Sequence, residues 1–331
     1  MRPALSVLLL TTLIGAGQGL FLALVTVQIY ALFALVPQPA ADFYRIGVLV
    51  APALLAGGLL ASFFHLGRPE RAWRAATCWR TSWLAREVIL LPVLTGVLLL
   101  YACGHLLQWR TPWIVLPGGV GLDATMLLGG SGTLLTFALF ICTGMIYACL
   151  PFLREWHSWL TVVNYTLLGG ASGFTLAAAV AAVASPALAP FLAGWAIVIT
   201  LLGLASRAAA LMRNARLQPK SMLQTALGVK HPRIVQVSQG AMGGSFNTRE
   251  FFHGRAPAVL RTMRWLFLLL AFAAPLVLLA FALVGAGGSP AALRVLLAAA
   301  VCLQSAGLLA ERWYFFAEAR HPQNLYYQAV A

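Results

Sequence analysis

The chain has 331 residues, 61% of them hydrophobic and only 9% charged, with 22 Lys and Arg against 8 Asp and Glu for a formal net charge of +14. A water-soluble chain of this length would carry about a quarter charged residues, so a soluble globular domain is excluded and the bilayer is the main solvent. Five cysteines (Cys78, Cys103, Cys142, Cys149, Cys302) stand singly, without a C-x-x-C pair or a Cys/His run at metal spacing. No structural zinc, iron–sulfur cluster or other metal site is therefore expected in this chain.

Arg2 is followed by an uncharged run from Pro3 to Ala41. That run is too long for a cleaved signal-peptide core and long enough for a tilted span, so it is read as the first helix of the mature protein. Each later uncharged interval is measured against the roughly 20 residues a helix needs to cross about 30 Å of hydrocarbon. Spans are predicted near 10–36, 45–65, 85–108, 124–150, 158–184, 188–211, 264–286 and 292–316. Ser185-Pro186 and Ala189-Pro190 divide an uncharged stretch too long for one crossing, and the run Gly285 to Pro290 divides the last two spans. The expected fold class is all-α: a polytopic membrane protein of about eight transmembrane helices, forming a single membrane domain over 1–331.

An even number of spans puts both termini on one face, called side A. Nineteen lysines and arginines fall on side A, ten of them between Arg207 and Arg264, against three on the opposite side B (Arg45, Arg110, Arg294). The positive-inside rule then makes side A, with both termini, cytoplasmic. The charge is a topology signal; no nucleic-acid-binding motif accompanies it, and no nucleic-acid partner is expected. The one long extramembrane stretch, 213–263, contains Arg249, Phe251 and Phe252. Phenylalanines beside arginines suit a docking surface for a soluble protein as well as a plain surface loop.

Ionisable groups at the membrane edge are costly and count as site candidates. The densest group is His65-Leu66-Gly67-Arg68-Pro69-Glu70-Arg71-Ala72-Trp73-Arg74 at the side-A end of helix 2, followed by Ser82-Trp83-Leu84-Ala85-Arg86-Glu87 at the start of helix 3. A quinone ring exchanges protons at its carbonyls as it exchanges electrons. His65 and Glu87, emerging at the same face on neighbouring helices, are of the types that move such protons. Arg68 and Arg71 are placed to hold a carboxylate or donate to a carbonyl, and Trp83 to pack on the ring. The same residues also suit ordinary interfacial anchoring. A b-type haem would need two histidines facing each other at one depth, a pairing the sequence does not present. The Gly-rich runs at Gly129–Gly132 and Gly169–Gly173 leave a secondary transporter with broken helices as a reading from another class, although small residues there also serve close helix packing.

The strings His65 to Trp73, Ser82 to Glu87 and Glu311-Arg312-Trp313-Tyr314-Phe315-Phe316-Ala317-Glu318-Ala319-Arg320-His321-Pro322-Gln323-Asn324 together resemble the membrane-anchor subunits of dimethyl sulfoxide reductase-type molybdoenzyme complexes. The resemblance implies a haem-free, eight-helix anchor in the bacterial inner membrane. Such an anchor exchanges electrons between a quinone, ubiquinone or menaquinone, and an iron–sulfur subunit joined to a molybdopterin catalytic subunit. The family's quinone-site histidine and glutamate match His65 and Glu87. The cytoplasmic docking face and the expanded 213–263 stretch look more like the anchor of the sulfite-oxidising branch than like a reductase anchor that oxidises menaquinol in anaerobic respiration.

The charge count carries a first prediction: a reporter active only in the periplasm, fused after Ala331, gives no signal in whole cells. A strong signal would reverse the orientation.

Overall fold

The computed structural model describes residues 4–109, 111–115, 121–219, 221–237, 257–285 and 289–326. Arg110, Arg249, Phe251 and Phe252 lie outside them, so the docking expectation placed on the 249–252 stretch concerns residues beyond this description.

Among the described residues eight helices are long and apolar enough to cross a membrane: α1 (Leu5–Leu32), α2 (Ala41–Phe63), α3 (Trp83–Leu106), α4 (Ala124–Ala148), α5 (Trp159–Ala184), α6 (Ala189–Ala215), α7 (Pro257–Val284) and α8 (Pro290–Glu318). In hydrocarbon a backbone must satisfy its own hydrogen bonds, and a helix does so within one segment. The all-α, eight-span expectation holds. A short antiparallel pair, β1 (Pro112–Val115) with β2 (Gly121–Asp123), adds strands at side B that the hydropathy did not reveal.

Polar residues set several helix starts. Ser82 accepts from the Ala85 amide, Asp123 from the Met126 amide at 2.9 Å and Ser158 from the Leu160 amide at 3.2 Å, each capping otherwise unpaired N–H groups. The linker after α2 is ordered as a ten-residue 3₁₀ helix, Pro69–Cys78, begun by a proline that lacks an N–H. In α7 a π-helical turn, Leu269–Ala273, precedes Pro275; the wider turn accommodates the bond that the proline cannot make. The end of α6 at Ala215 lies four residues beyond the expected limit, and α7 begins seven residues early, so Arg213 and Arg261 are helical as well as Arg207 and Arg264.

Packing places α1 and α5 at the centre: 56% and 67% of their apolar windows are buried, against 33–39% for the other six. Lipid tails are as apolar as leucine, so association rests on close packing and internal hydrogen bonds. Gly15 and Gly19 on α1 meet Gly169 and Gly173 on α5, each pair spaced by four residues. A Cβ on Gly173 would lie 2.0 Å from the carbonyl carbon of Gly19, so the two backbones touch. The Gly169–Gly173 run, read in sequence as a packing face or a broken-helix break, is a packing face here within an unbroken α5, and on α4 Gly129 and Gly132 pack against Val25 and Phe21 within an equally unbroken helix. Gly307 of α8 approaches the π turn of α7 as closely, its Cβ position lying 2.1 Å from the Ala271 amide nitrogen. Gln18 adds a polar tie at the centre, donating to the Thr136 carbonyl of α4 at 3.0 Å.

Gly173→Leu therefore displaces backbone, a cost of at least about 1–3 kcal/mol, and should abolish accumulation of monodisperse protein in membranes. Gly130→Ala, where nothing lies within 4 Å, should accumulate normally by size-exclusion chromatography.

Candidate functional site

The Ser82 cap starts α3 so that Glu87 lies one turn in, about 6 Å along the axis from Trp83. There the Thr143 hydroxyl of α4 donates to Glu87 Oε1 at 2.5 Å. Glu87 is half-buried and forms one wall of a narrow cavity of about 20 Å³ among α1, α3, α4, α5 and α8. Gln18, Thr143, Tyr165, Ser172 and Arg312 line it with apolar side chains and the backbone of Gly15 and Gly169.

At the far side of that cavity stands a buried ionic cluster. Arg207 of α6 pairs with Glu311 of α8 at 2.8 Å, and Arg312 approaches the other Glu311 oxygen at 3.4 Å; the three residues are 2%, 1% and 4% exposed. Aromatic faces enclose the two cations. Arg312 stacks 3.7 Å from the Tyr165 ring centroid, and Arg207 lies beside the adjacent rings of Phe267 and Tyr314, 5.4 and 5.7 Å from their centroids. Tyr165 in turn stacks on Tyr147, within an aromatic group that includes Trp156 and Phe315. The indole of Trp156 donates to the Phe315 carbonyl at 2.8 Å, tying the α4–α5 loop to the end of α8.

The other expected site residues lie on the surface of side A. His65 follows α2 and is exposed, with no side-chain hydrogen bond among the described residues; partial burial lowers its pKa below the ordinary histidine value, so it is neutral at pH 7 with one donor and one acceptor nitrogen. Arg68 is exposed, and Arg71 makes only a loose surface pair with Glu70 at 3.8 Å. Trp83 is covered by Arg86, whose guanidinium carbon lies 4.2 Å from the ring centroid and whose nitrogens donate to the Trp79 and Arg80 carbonyls. Phe64 is 87% exposed and Trp73 66%, so the surface around His65 is both aromatic and basic. The structure thus separates the expected set: Glu87 belongs to an internal cavity, while His65, Arg68, Arg71 and Trp83 do not line it.

One correction follows for the charges. Arg207 and Arg312, counted among side-A surface charges, are buried ion-pair partners; the remaining count is still strongly one-sided. Thr143 and Tyr165 were not singled out, since neither carries a charge. For Arg207 a signal was present in the apolar run Ala208 to Met212 behind it, which marks a continuing helix.

Among the described residues no group of three or more His, Cys, Asp or Glu is arranged to hold a metal ion. The profile of the DMSO reductase anchor subunit family (DmsC) matches residues 1–317. The chain belongs to that family. It is also 54% identical, over the full length of both chains, to a sulfite dehydrogenase subunit of Allochromatium vinosum. Membership makes this an anchor subunit of a DMSO reductase-type oxidoreductase complex, a multi-pass membrane protein whose buried Glu311-Arg312 pair heads the third of the strings that carried the resemblance.

Removing one partner from a buried ion cluster leaves an unbalanced charge, at a cost of about 3–5 kcal/mol. Glu311→Gln would strand two cations at once. It should lower the thermal unfolding midpoint of the detergent-purified chain well below that of Glu70→Gln, whose partner is exposed.

Proposed function

We propose that this subunit binds a membrane quinone near side A and passes electrons to it from an iron–sulfur subunit docked on the cytoplasmic face, in a complex whose molybdopterin subunit oxidises sulfite. The single observation that carries this reading is Glu87: a carboxylate inside a span, hydrogen-bonded by Thr143 and opening on a cavity that Arg312 also lines, in a chain 54% identical to a subunit named for sulfite dehydrogenase. Such a group is expensive in a membrane unless it is used.

The cavity at Glu87 is too narrow for a six-membered quinone ring. This reading therefore sets the ring outside it, on the side-A surface that carries His65, the exposed Phe64 and the start of α3 with Trp83. Oxidation of sulfite with water to sulfate releases two electrons and two protons, and reduction of a quinone to a quinol takes up two of each. In this arrangement neutral His65 donates a hydrogen bond to one carbonyl oxygen and Glu87 exchanges protons. Arg68 and Arg71 favour negative charge developing there, and Trp83 packs on the ring. The side-A loops, rich in arginine and aromatics, support docking of the iron–sulfur partner in the cytoplasm of a bacterial inner-membrane complex. Electrons then run from sulfite to ubiquinone or menaquinone.

His65→Ala and Glu87→Gln should each reduce quinone-linked sulfite oxidation by about 10²-fold while artificial-dye activity of the soluble subunits survives. The measurement is the ratio of the two rates in membranes carrying normal amounts of assembled complex. An unchanged ratio in both variants would return the two residues to anchoring roles.

A further inference from the structure

Arg68, Arg71, Arg74, Arg80 and Arg86 crowd the surface between α2 and α3, where Glu70 is the one acid beside them. Glu87, Glu155, Glu311 and Glu318, four of the eight acidic residues, lie along the interior and its side-A mouth, where they share their linings with Arg154, Arg207, Arg213, Arg312 and Arg320.

They are joined by a series of spaces. The cavity at Glu87 shares Tyr165 and Arg312 with a second cavity, of about 10 Å³, lined further by Asn164, Arg207, Glu311 and Glu155. Glu155 also borders an open side-A groove of about 800 Å³ that includes Glu318 and His321. The two inner cavities are of the size that holds one or two waters, about 10–15 Å³ being enough for one. Their walls ask for water: Asn164 Oδ1 and Arg207 Nη2 are buried with no hydrogen-bond partner of normal geometry, and buried polar groups of this kind are ordinarily satisfied, while the Tyr165 hydroxyl lies within reach of Tyr147 and Arg312.

We propose that these two cavities form a water-containing proton route through the middle of the bundle, from the side-A groove at Glu155, past Glu311, Asn164 and Tyr165, to Glu87. The inference rests on the reading of Glu87 as the proton-exchanging group at the quinone site and adds where its protons come from. Arg312 and Arg207, held by Glu311, orient water rather than relay through it. Hydroxyl, amide and water carry the proton between the carboxylates, and the two protons drawn from side A replace the two that sulfite oxidation releases there. The route is therefore electrically silent across the membrane.

The test begins with Tyr165→Phe, which keeps the ring on which Arg312 stacks and removes the hydroxyl. In membranes with normal amounts of complex, quinone-linked turnover should fall about tenfold or more. The KM for quinone and the dye-linked rate should be unchanged, and the solvent deuterium isotope effect should rise as proton delivery becomes limiting. Asn164→Leu should behave alike; a merely structural role would instead lower the amount of complex or raise KM. Hydroxyl-radical footprinting of the full chain in lipid nanodiscs reads the water without turnover. Tyr165 and Phe140, buried but on the cavity wall, should be modified, whereas Phe43 and Phe272, equally buried and away from it, should not. Unaltered kcat and isotope effect in both variants, or Tyr165 and Phe140 as protected as the two controls, would overturn the route. Glu87→Gln measured alongside separates the two ideas. If it too has no effect, the quinone-site reading fails at Glu87 and the route loses its end point; if it alone slows turnover, only the route is lost.

Discussion

The contact between Gly19 and Gly173, where the backbones of α1 and α5 touch, is the constraint around which the other six helices are arranged. Two helices can approach this closely only without a Cβ at the crossing, and in lipid such approach replaces the hydrophobic drive available to soluble proteins. It also has a cost in packing. Glycines that let backbones meet leave little side-chain volume beside the crossing, and Gly15, Gly169 and Ser172 border the cavity that Glu87 and Arg312 also line. The polar interior is a by-product of the closest packing in the molecule.

The ionic cluster at the other side of that cavity is a costly device to place in a bundle. Two arginines face Glu311 and, beside Arg207, Glu318, with the rings of Tyr165, Phe267 and Tyr314 against the cations. A well-packed apolar trio would often be at least as stable. That α6 and α8 nevertheless present charges to one another, beside unsatisfied polar atoms, fits a part in moving charge better than a part in holding helices together.

Side A thus carries two chemistries in separate places. Around His65 the surface is basic and aromatic and open to lipid and to a docking protein. Behind it, acids and hydroxyls reach from Glu87 to the groove bordered by Glu155 and Glu318. Partial burial lowers the His321 pKa at the edge of that groove, as it does for His65, so both surface histidines are neutral at pH 7. In the proposed scheme, electrons from a docked cluster and protons from the groove reach the quinone from one membrane face along different paths.

Eight spans, their approximate limits and the bias of positive charge were legible in the sequence, because crossing a bilayer is a one-dimensional requirement on length and charge. Glu87 was legible too, as a carboxylate just inside a span, and so was the motif containing Glu311 and Arg312. The tertiary structure alone decided that Glu87 faces Thr143 and a cavity while His65 faces outward, that Arg207 is an ion-pair partner rather than a loop charge, and that the Gly169–Gly173 run packs rather than breaks a helix. The reason is physical. Hydropathy reports how much of a helix tolerates lipid, but which face meets a neighbour depends on rotation about the helix axis. In this bundle that rotation is set by where α1 and α5 can touch.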